Sequence, residues 1–277
     1  MKKIAVLGTT GMLGNAVFKV MKDAGFDVVG TTRRELDAET TTIDDIQNCV
    51  KNCDYIINCI GFIKHHIDDK NKDDVERAIK VNSLFPHKLA KCGIKIIQIA
   101  TDCVYDGVKG NYIETDLHNP TDVYGKTKSL GEINAENFMN LRCSIFGREI
   151  KNKLSNLEWF LSQPKNGKVY GYKNHFWNGV SVLAFAKICR GIINNDFWFS
   201  GLQHVVASDC MSKADLLKYY GIVFNRKDIT ITNIDASQSI NRTINTNNNS
   251  INKELWKMAD YTVIPTMKDM IIELKEF

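Results

Sequence analysis

The sequence has little proline, no block of like charges, no closely spaced cysteine pair and no long hydrophobic run. Its four prolines lie in a chain rich in Asn, Lys and Ile, a bias that reflects genome composition more than function. The net charge of +4 is dispersed, so no nucleic-acid partner is expected. No apolar stretch approaches the about 20 residues that cross a membrane, and the N-terminal apolar run is too short for a signal peptide. These absences predict a cytoplasmic protein without a membrane partner.

The eight cysteines are scattered and include no C-x-x-C pair. Several lie inside apolar runs, so we expect buried, reduced thiols. His65 and His66 stand beside Asp68 and Asp69, but adjacent histidines point in different directions and no third ligand has suitable spacing. The sequence therefore predicts no metal centre, and this segment is expected to be a solvated loop.

Apolar runs alternate with helical patterns through the first half of the chain. Strands are predicted at residues 4–7, 26–30, 54–60, 95–100 and 138–146. Helices are predicted at residues 15–21, 44–52, 73–92 (broken near Pro86) and 123–138. Continuous apolar strands separated by helices are typical of a parallel sheet covered on both faces. The predicted fold class is therefore α/β, with a doubly wound parallel sheet.

The alternation loosens after about residue 148. Helices are predicted at residues 154–161, 179–193, 213–220 and 265–276. Residues 241–250 form a polar stretch that we expect to be a mobile loop. The 277 residues, 44% of them hydrophobic, suffice for a sizeable core. We predict a domain at residues 1–148 and a smaller, intertwined C-terminal lobe at residues 149–277, since no linker-like stretch separates them.

Glycines at positions 8, 11 and 14 follow the first apolar run and precede a helical pattern. In such a turn, Gly8 allows the chain to turn sharply, Gly11 allows backbone to approach a phosphate, and Gly14 allows the helix to pack on the strand. The helix start offers free N–H groups to a pyrophosphate. We predict that Gly8, Gly11, Met12, Leu13 and Gly14 bind a dinucleotide cofactor. The alternative is a plain tight turn.

Two arginines follow the second predicted strand. At this place in a dinucleotide-binding fold, a carboxylate accepts the 2′-hydroxyl of NAD, whereas arginine suits the 2′-phosphate of NADP. Arg33 and Arg34 precede the first carboxylate, Glu35, and therefore favour NADPH. The alternative is a solvated basic turn.

A Tyr-x-x-x-Lys pair, Tyr124 and Lys128, lies in a predicted helix, where one turn places both side chains on the same face. A nearby ammonium lowers the pKa of a tyrosine, so the phenol can give a proton to a carbonyl oxygen as hydride arrives. Thr101 lies at the tip of a predicted strand and can hydrogen-bond the same oxygen. For Thr101 and Asp102, helix capping or turn formation is the alternative.

These motifs resemble those of the extended short-chain dehydrogenase/reductase family, and most closely the dTDP-4-dehydrorhamnose reductases. The similar segments are the glycine turn and residues 100–107 (Ala-Thr-Asp-Cys-Val-Tyr-Asp-Gly), 120–132, 141–147 and 178–181. The resemblance covers nearly the whole chain, being specific in the first half and loose in the second. It implies a Rossmann domain followed by a substrate lobe, and a homodimer packed through helices that include the one bearing Tyr124.

Carried over residue by residue, the resemblance implies that Thr101, Tyr124 and Lys128 are catalytic and that NADPH is the cofactor. Asn58 and Asn82 match supporting positions, the first near the cofactor and the second near the substrate. The implied reaction is reduction of a nucleotide-linked 4-keto-6-deoxysugar by hydride transfer. The sequence does not name the nucleotide or the sugar.

Cys103 departs from the rhamnose reductases, which usually have tyrosine there. It is similar instead to the acid/base cysteine of GDP-L-fucose synthases and plant-type nucleotide-rhamnose synthases. A 4-keto group acidifies the adjacent C–H bonds, and a thiolate near cations can act as a base. We therefore hypothesise an epimerase/reductase. Its second acid/base is open among Glu158, His175 and the His65-His66 pair, and the alternative for Cys103 is a buried apolar filler.

Arg242 lies in the polar stretch of the presumed substrate lobe and is our preferred contact for a nucleotide diphosphate, with Lys151 and Lys153 as further candidates. Asp102 is also expected near the substrate. Two other functions stay open. One is a non-catalytic NADP-binding subunit that resembles the regulatory subunit of methionine adenosyltransferase. The other is a 4,6-dehydratase or 4-epimerase that retains NAD, which the arginines after strand two disfavour.

Overall fold

The structure is a computed structural model that describes residues 1–150 and 153–277. Its strands are, in chain order, β1 (Lys3–Leu7), β2 (Asp27–Thr31), β3 (Tyr55–Asn58), β4 (Lys95–Ala100), β5 (Phe138–Arg142), β6 (Ser144–Phe146), β7 (Lys168–Tyr172), β8 (His175–Trp177), β9 (Gly179–Ser181), β10 (Gly201–His204), β11 (Met211–Ser212), β12 (Thr230–Ile234) and β13 (Ile240–Asn241). Its α-helices are α1 (Met12–Asp23), α2 (Ile43–Cys49), α3 (Lys72–Ala78), α4 (Phe85–Ala90), α5 (Val123–Leu130), α6 (Asn156–Leu161), α7 (Val182–Asn194), α8 (Lys213–Val223), α9 (Asn249–Met258) and α10 (Met267–Glu276). A π-helical segment (Ile79–Leu84) joins α3 to α4, and 3₁₀ turns lie at Lys64–His66 and Asp102–Val104.

Six strands form the central sheet in the order β10-β5-β4-β3-β1-β2, and every pair in it is parallel. The chain order reverses between β1 and β3. In open α/β sheets, ligands bind beyond the carboxyl ends of the strands at such a switch point. The predicted doubly wound α/β fold is confirmed, and the sheet brings the ends of β1 and β3 together where a cofactor would bind.

Both faces of this sheet are covered by apolar core. Ala5 and Leu7 of β1 pack with one core cluster, and Ile4 and Val6 of the same strand pack with the other. Alternate residues of a strand point to opposite faces, so a strand buried on both sides is apolar at every position. Each such side chain contributes roughly 1.5–3 kcal/mol of burial free energy, which explains why β1 reads as one continuous apolar run.

Two elements from the second half of the chain belong to the central sheet layer. Strand β10 forms the edge beside β5, and helix α7 packs against α1. The remaining strands build three small sheets: β7 with β12, β6 with β9, and β8 between β11 and β13. The predicted strand at residues 138–146 is therefore two strands, because β5 stays in the central sheet and β6 pairs with β9 in the lobe.

Two predicted helices differ in the structure. The helix expected at residues 123–138 ends at Leu130, because Gly131 packs so tightly that a Cβ there would lie 2.0 Å from the carbonyl oxygen of Asn82. The helix expected at residues 73–92 does not break at Pro86. Pro86 lies near the start of α4, which continues directly from the π segment, and the irregularity is that preceding π segment.

The polar stretch at residues 241–250 was expected to be mobile, and the structure contradicts that expectation for residues 243–246. Thr243 and Ile244 are buried. The Ile244 N–H donates to Asn178 Oδ1 at 2.8 Å, and the Asn245 N–H donates to the Tyr112 carbonyl at 2.7 Å. These residues hydrogen-bond within the protein, whereas residues 247–250 are exposed and lead into α9.

Within residues 1–150 and 153–277, no helix combines the length and the apolar character needed to cross a lipid bilayer.

Candidate active site

The glycine turn joins β1 to α1, and two of its glycines have no room for a side chain, Gly8 beside Ile60 and Gly14 beside the Gly8 carbonyl. Gly8 has φ +83°, and its N–H donates to the Thr31 carbonyl at 3.1 Å. A Cβ on Gly14 would lie 2.1 Å from the Gly8 carbonyl oxygen, so only glycine lets α1 start this close to β1. Gly11 is the N-cap of α1 and supplies no side-chain cap. The first N–H groups of the helix, from Met12 and Leu13 onward, therefore have no partner within the helix.

A cleft of about 230 Å³ opens beside this turn. It lies at the switch point between β1 and β3, and its walls come from the glycine turn, the segment after β2 and the segment after β3. The lining residues used below are Gly8, Gly11, Arg33, Glu39, Cys59 and Arg77. Asn58 does not line it. The Asn58 side chain donates to Gln98 Oε1 at 2.7 Å and accepts the Ile60 N–H at 3.1 Å, so it shapes the turn after β3.

The two arginines after β2 are not equivalent. Arg33 lines the cleft and pairs with Asp37 at 3.0 Å and with Glu39 at 2.5 Å. Glu39 also accepts from Arg77 at 2.7 Å. Arg34 is exposed, and within the described part of the chain its guanidinium has no ion-pair partner. Arg34 thus has its charge free for a phosphate, whereas Arg33 would share its own with two carboxylates.

Thr101, Tyr124 and Lys128 come together beyond the end of β4. The Thr101 hydroxyl accepts the Cys103 N–H at 3.2 Å. Burial raises the pKa of the Tyr124 phenol, Cys103 adds to that rise, and the Thr101 hydroxyl opposes it. Lys128 is buried, and its Nζ donates to the Ile99 carbonyl at 2.9 Å. Burial lowers the pKa of Lys128 to about 8, although Glu132 opposes this.

The lowering of the Tyr124 pKa by Lys128, predicted from the sequence, is opposed in the structure by burial of the phenol. Burial penalises the phenolate, so the phenol is held in its protonated form. A protonated phenol is the form that gives a proton to a carbonyl oxygen. The arrangement therefore suits proton donation, with Lys128 one turn after Tyr124 in α5 and hydrogen-bonded to the end of β4.

Asp102 and Cys103 form the 3₁₀ turn that follows Thr101. Asp102 is buried, and this raises the pKa of its carboxyl, against the opposing effects of Arg242 and Lys213. Burial, with the Asp102 charge, raises the pKa of the Cys103 thiol to about 12. Cys103 is consequently a neutral thiol at pH 7, a proton donor in its resting state and not a base.

The small sheet of β11, β8 and β13 brings two cations to this region. Lys213 follows β11, and Arg242 follows β13 on the other side of β8. The Arg242 Nε donates to the Tyr105 carbonyl at 3.1 Å. Lys213 Nζ lies 4.0 Å from the centre of the Trp177 ring, and burial lowers its pKa to about 8. Arg242 was predicted from sequence, whereas Lys213 was missed because a lysine after a helix N-cap is unremarkable in a sequence.

Three predicted substrate residues are bound to other protein groups. Glu158 is buried and pairs with Arg148. The His175 Nε2 lies 3.1 Å from the Gln238 carbonyl, to which it donates. Asn82, in the π segment, accepts the Phe62 N–H and donates to the Phe62 carbonyl, both at 2.9 Å. Asn82 thus holds the segment after β3, and substrate contacts for these three residues stay predictions.

The histidine pair and the lobe lysines add nothing to this cluster. His65 and His66 are exposed on the 3₁₀ turn at Lys64–His66. In the described ranges, no group of three or more His, Cys, Asp or Glu side chains is placed to hold a metal ion. Lys153 is exposed, and Lys151 lies outside the described residues.

Comparison with known proteins matches residues 1–274 to the family model of the RmlD substrate binding domain. The chain is 32% identical over 233 residues to a dTDP-4-dehydrorhamnose reductase of Aggregatibacter actinomycetemcomitans, covering 78% of this chain and 76% of that protein. It is 32% identical over 137 residues to the reductase of the same name from Mycolicibacterium smegmatis, covering 47% of this chain and 40% of that protein. It is 27% identical over 139 residues to methionine adenosyltransferase 2 subunit beta of Bos taurus, covering 47% of this chain and 42% of that protein.

The chain therefore spans about two fifths of the length of the Mycolicibacterium and bovine relatives. Among solved structures, a dTDP-4-dehydrorhamnose reductase from Bacillus anthracis in complex with NADP superposes with a TM-score of 0.81, covering 100% of this chain and 99% of that one. The two are 17% identical, so this likeness concerns the fold.

Proposed function

The chain belongs to the family of the RmlD substrate binding domain, and from that premise we propose that it is an NADPH-dependent reductase of a nucleotide-linked 4-keto-6-deoxysugar. The observation that carries the proposal is the placement of the Tyr124 phenol beside the Thr101 hydroxyl, at the same edge of the sheet as the glycine turn. The names of the Aggregatibacter and Mycolicibacterium relatives support dTDP-4-dehydrorhamnose as the first substrate to test.

The residues around the glycine turn fit NADPH. The uncapped first turn of α1 offers backbone N–H groups to the pyrophosphate, and Gly11 is exposed there. Arg34 offers its charge to the 2′-phosphate. Arg33 contributes less, because it also pairs with Asp37 and Glu39. The NADP held by the Bacillus anthracis relative supports the same cofactor. When bound, NADPH supplies the hydride.

The protein's own part of the reaction is to bind the ketone and give it a proton. Tyr124 Oη gives its proton to the 4-keto oxygen, and the Thr101 hydroxyl donates a hydrogen bond to the same oxygen. The Lys128 ammonium stabilises the phenolate that remains on Tyr124. Lys213 and Arg242, which face Asp102 and Cys103 from the lobe, are proposed to bind the substrate diphosphate.

The test is incubation of the protein and NADPH with a small panel of 4-keto-6-deoxysugar nucleotides, led by dTDP-4-dehydrorhamnose and including UDP- and GDP-linked sugars. We expect NADPH oxidation with at least one member and a 4-hydroxy product by NMR. Tyr124→Phe should lower kcat about 10²–10⁴-fold, the usual contribution of a general acid. The dissociation constant of NADPH should be unchanged. Turnover by Tyr124→Phe at the wild-type rate would contradict the assignment.

We further propose that epimerisation beside the ketone accompanies reduction, with Cys103 as one acid/base. Its high pKa suits it to return a proton to one face of the sugar carbon, while the proton on the other face passes to a second acid/base, which stays open among Glu158, His175 and the His65-His66 pair. In deuterated water, the wild-type product should carry deuterium at that carbon, and Cys103→Ser should abolish the uptake while hydride transfer persists. Undiminished uptake in Cys103→Ser would refute the role of the thiol.

A second candidate function is a non-catalytic NADP-binding subunit. The similarity to methionine adenosyltransferase 2 subunit beta favours it, since that protein is named as a subunit of another enzyme. The intact Thr101, Tyr124 and Lys128 arrangement favours the reductase. Tight NADPH binding without oxidation on any member of the panel would decide for the subunit.

We also propose a homodimer formed through the outer faces of the π segment and α5. Ile79, Leu84 and Leu130 lie on these elements with 41%, 50% and 63% of their surface exposed. Exposed apolar side chains gathered on neighbouring helices are typical of an interface. Light scattering should give twice the mass of 31.4 kDa, and Leu130→Glu should return the protein to that mass.

A further inference from the structure

Arg142, the last residue of β5, is completely buried between the ends of β4 and β10. A guanidinium has five N–H donors, and here each one has an acceptor. Nε donates to Glu132 at 3.0 Å, and Nη2 donates to the same carboxylate. Nη1 donates to the Tyr105 hydroxyl at 2.5 Å and to His204 Nε2 at 2.8 Å, and Nη2 also donates to His118 Nε2 at 2.6 Å.

The contacts of Arg142 determine the tautomers of both histidines. A histidine that accepts at Nε2 must carry its proton on Nδ1. His118 Nδ1 then donates to Ser129 Oγ at 2.7 Å, and His204 Nδ1 donates to the Asn245 carbonyl at 2.6 Å. Burial and Arg142 lower the pKa of both rings, to about 4 for His204, so both are neutral at pH 7.

Two hydrogen-bonded arms therefore start at Arg142, one through His118 to Ser129 and one through His204 to Asn245. They end on opposite sides of the candidate active site. Ser129 lies in α5 directly after Lys128. Asn245 lies in the lobe segment that begins with Arg242, whose Nε bonds to the carbonyl of Tyr105. The hydroxyl of Tyr105 is itself an acceptor of Arg142. One buried guanidinium therefore connects the helix that presents Tyr124 with the segment that presents Arg242.

We propose that Arg142 is a positioning residue that holds α5 and the lobe segment 242–246 in one relative placement, through His118 on one arm and His204 on the other. No other side chain type could do this, because lysine has three donors and no planar fork. The kinetic part of this inference rests on the proposed reductase function, whereas its structural part does not.

Two matched variants test the arm through His118 and the arm through His204 independently. In His118→Gln and His204→Gln, the glutamine Oε1 replaces the Nε2 acceptor for Arg142, but the onward Nδ1–H donor is lost. Hydrogen exchange read by mass spectrometry should rise about 3- to 10-fold at the C-terminal turn of α5 in His118→Gln and within residues 242–246 in His204→Gln, each leaving the other segment unchanged. Arg142→Lys should raise exchange in both.

Kinetics with dTDP-4-dehydrorhamnose, or whichever panel member is turned over, should divide in the same way. His204→Gln should raise KM about 3- to 10-fold, and His118→Gln should lower kcat by a similar factor. The dissociation constant of NADPH should stay within about twofold in both variants, since the glycine turn lies across the sheet from Arg142.

Equal increases of hydrogen exchange in both segments for both variants would overturn the positioning role. If no substrate is found, the proposed function fails but the exchange experiment still decides this inference. His118 is partly exposed, so His118→Gln suffices should His204→Gln not fold.

Discussion

Two lysines in the candidate site are held where an ammonium is costly. Burial lowers the pKa of both Lys128 and Lys213 to about 8. Lys128 recovers part of that cost through its hydrogen bond to the Ile99 carbonyl. Lys213 lies over the Trp177 ring and is attracted by the Asp102 carboxyl, but burial raises the pKa of that carboxyl, so the charge of Lys213 is only partly compensated. An under-compensated buried cation is expected where an anion binds, because the ligand supplies the missing charge.

Lys213→Met should stabilise the unliganded protein and weaken substrate binding. The native pKa of about 8 lies below the ordinary value of 10.5, so the charge penalises the native state fully below pH 8 and not at all well above pH 10.5. The gain in melting temperature should be about 2–4 °C at pH 7, the response of a domain of this size to roughly 1 kcal/mol. The gain in melting temperature should shrink as the pH rises from about 8 to 10.5.

Thermal unfolding at pH 7 and at pH 10.5, compared between Lys213→Met and the wild type, measures this effect. Lys213→Arg is the control, since it keeps the charge and should bring no gain in stability. A gain for Lys213→Met that is the same at both pH values would show that ionisation of Lys213 is not its cause.

At the scale of the elements, Gly11 and Gly14 of the glycine turn have different structural roles. A Cβ on Gly14 would overlap the Gly8 carbonyl at 2.1 Å, whereas one on Gly11 would meet that oxygen at 3.4 Å, within ordinary contact. Gly14 therefore serves the packing of α1 on β1, and Gly11 leaves space at the start of α1 for a ligand.

Gly11→Ala should keep the wild-type melting temperature within about 2 °C and weaken NADPH binding at least about tenfold. Gly14→Ala should lower the melting temperature by several times that amount, because backbone must move. Calorimetry and NADPH fluorescence titration measure both quantities. If Gly11→Ala binds NADPH normally, then the space at Gly11 is not a phosphate site.

The helices that were predicted wrongly share a cause. The pattern of residues 123–138 is compatible with a helix throughout, yet α5 ends at Leu130 because Gly131 packs against the backbone of Asn82. The π segment that contains Asn82 brings its amide to Phe62 of the segment after β3. Both features depend on residues distant in the chain meeting in space, 49 positions apart for Gly131 and Asn82 and 20 for Asn82 and Phe62, which no local pattern records.

At the scale of the whole molecule, the two predicted domains share contacts across their boundary. Helix α7 packs on α1, and β10 completes the edge of the central sheet, although both lie beyond residue 148. The C-terminal Phe277 also returns to α1, where Lys19 Nζ lies 4.3 Å from its ring centre. We therefore propose that the boundary at residues 148 and 149 marks a change of sequence pattern and not a change of folding unit.

A fragment of residues 1–148 should fail to fold cooperatively. It lacks β10 and α7, so β5 would have a free edge and the apolar face of α1 would be exposed to water. Circular dichroism melting and near-UV spectra should show no cooperative transition and no fixed aromatic packing. The full chain is the control, and a fragment with a sharp transition would establish 1–148 as an autonomous domain.

By itself the sequence determined the elements whose signals are local. The strand, glycine turn and helix at the N-terminus, the apolar runs of β3 and β4 and the Tyr124–Lys128 spacing are all written in residues within a few positions of each other, where backbone sterics and burial decide. Only the tertiary structure decided which charges remain free. Arg34, Lys213 and Arg242 have no ion-pair partner in the described part of the chain, whereas Arg33 and Glu158 are paired and Arg142 is surrounded by five acceptors. Electrostatics and burial act through space, so these assignments depend on neighbours that are distant in the chain.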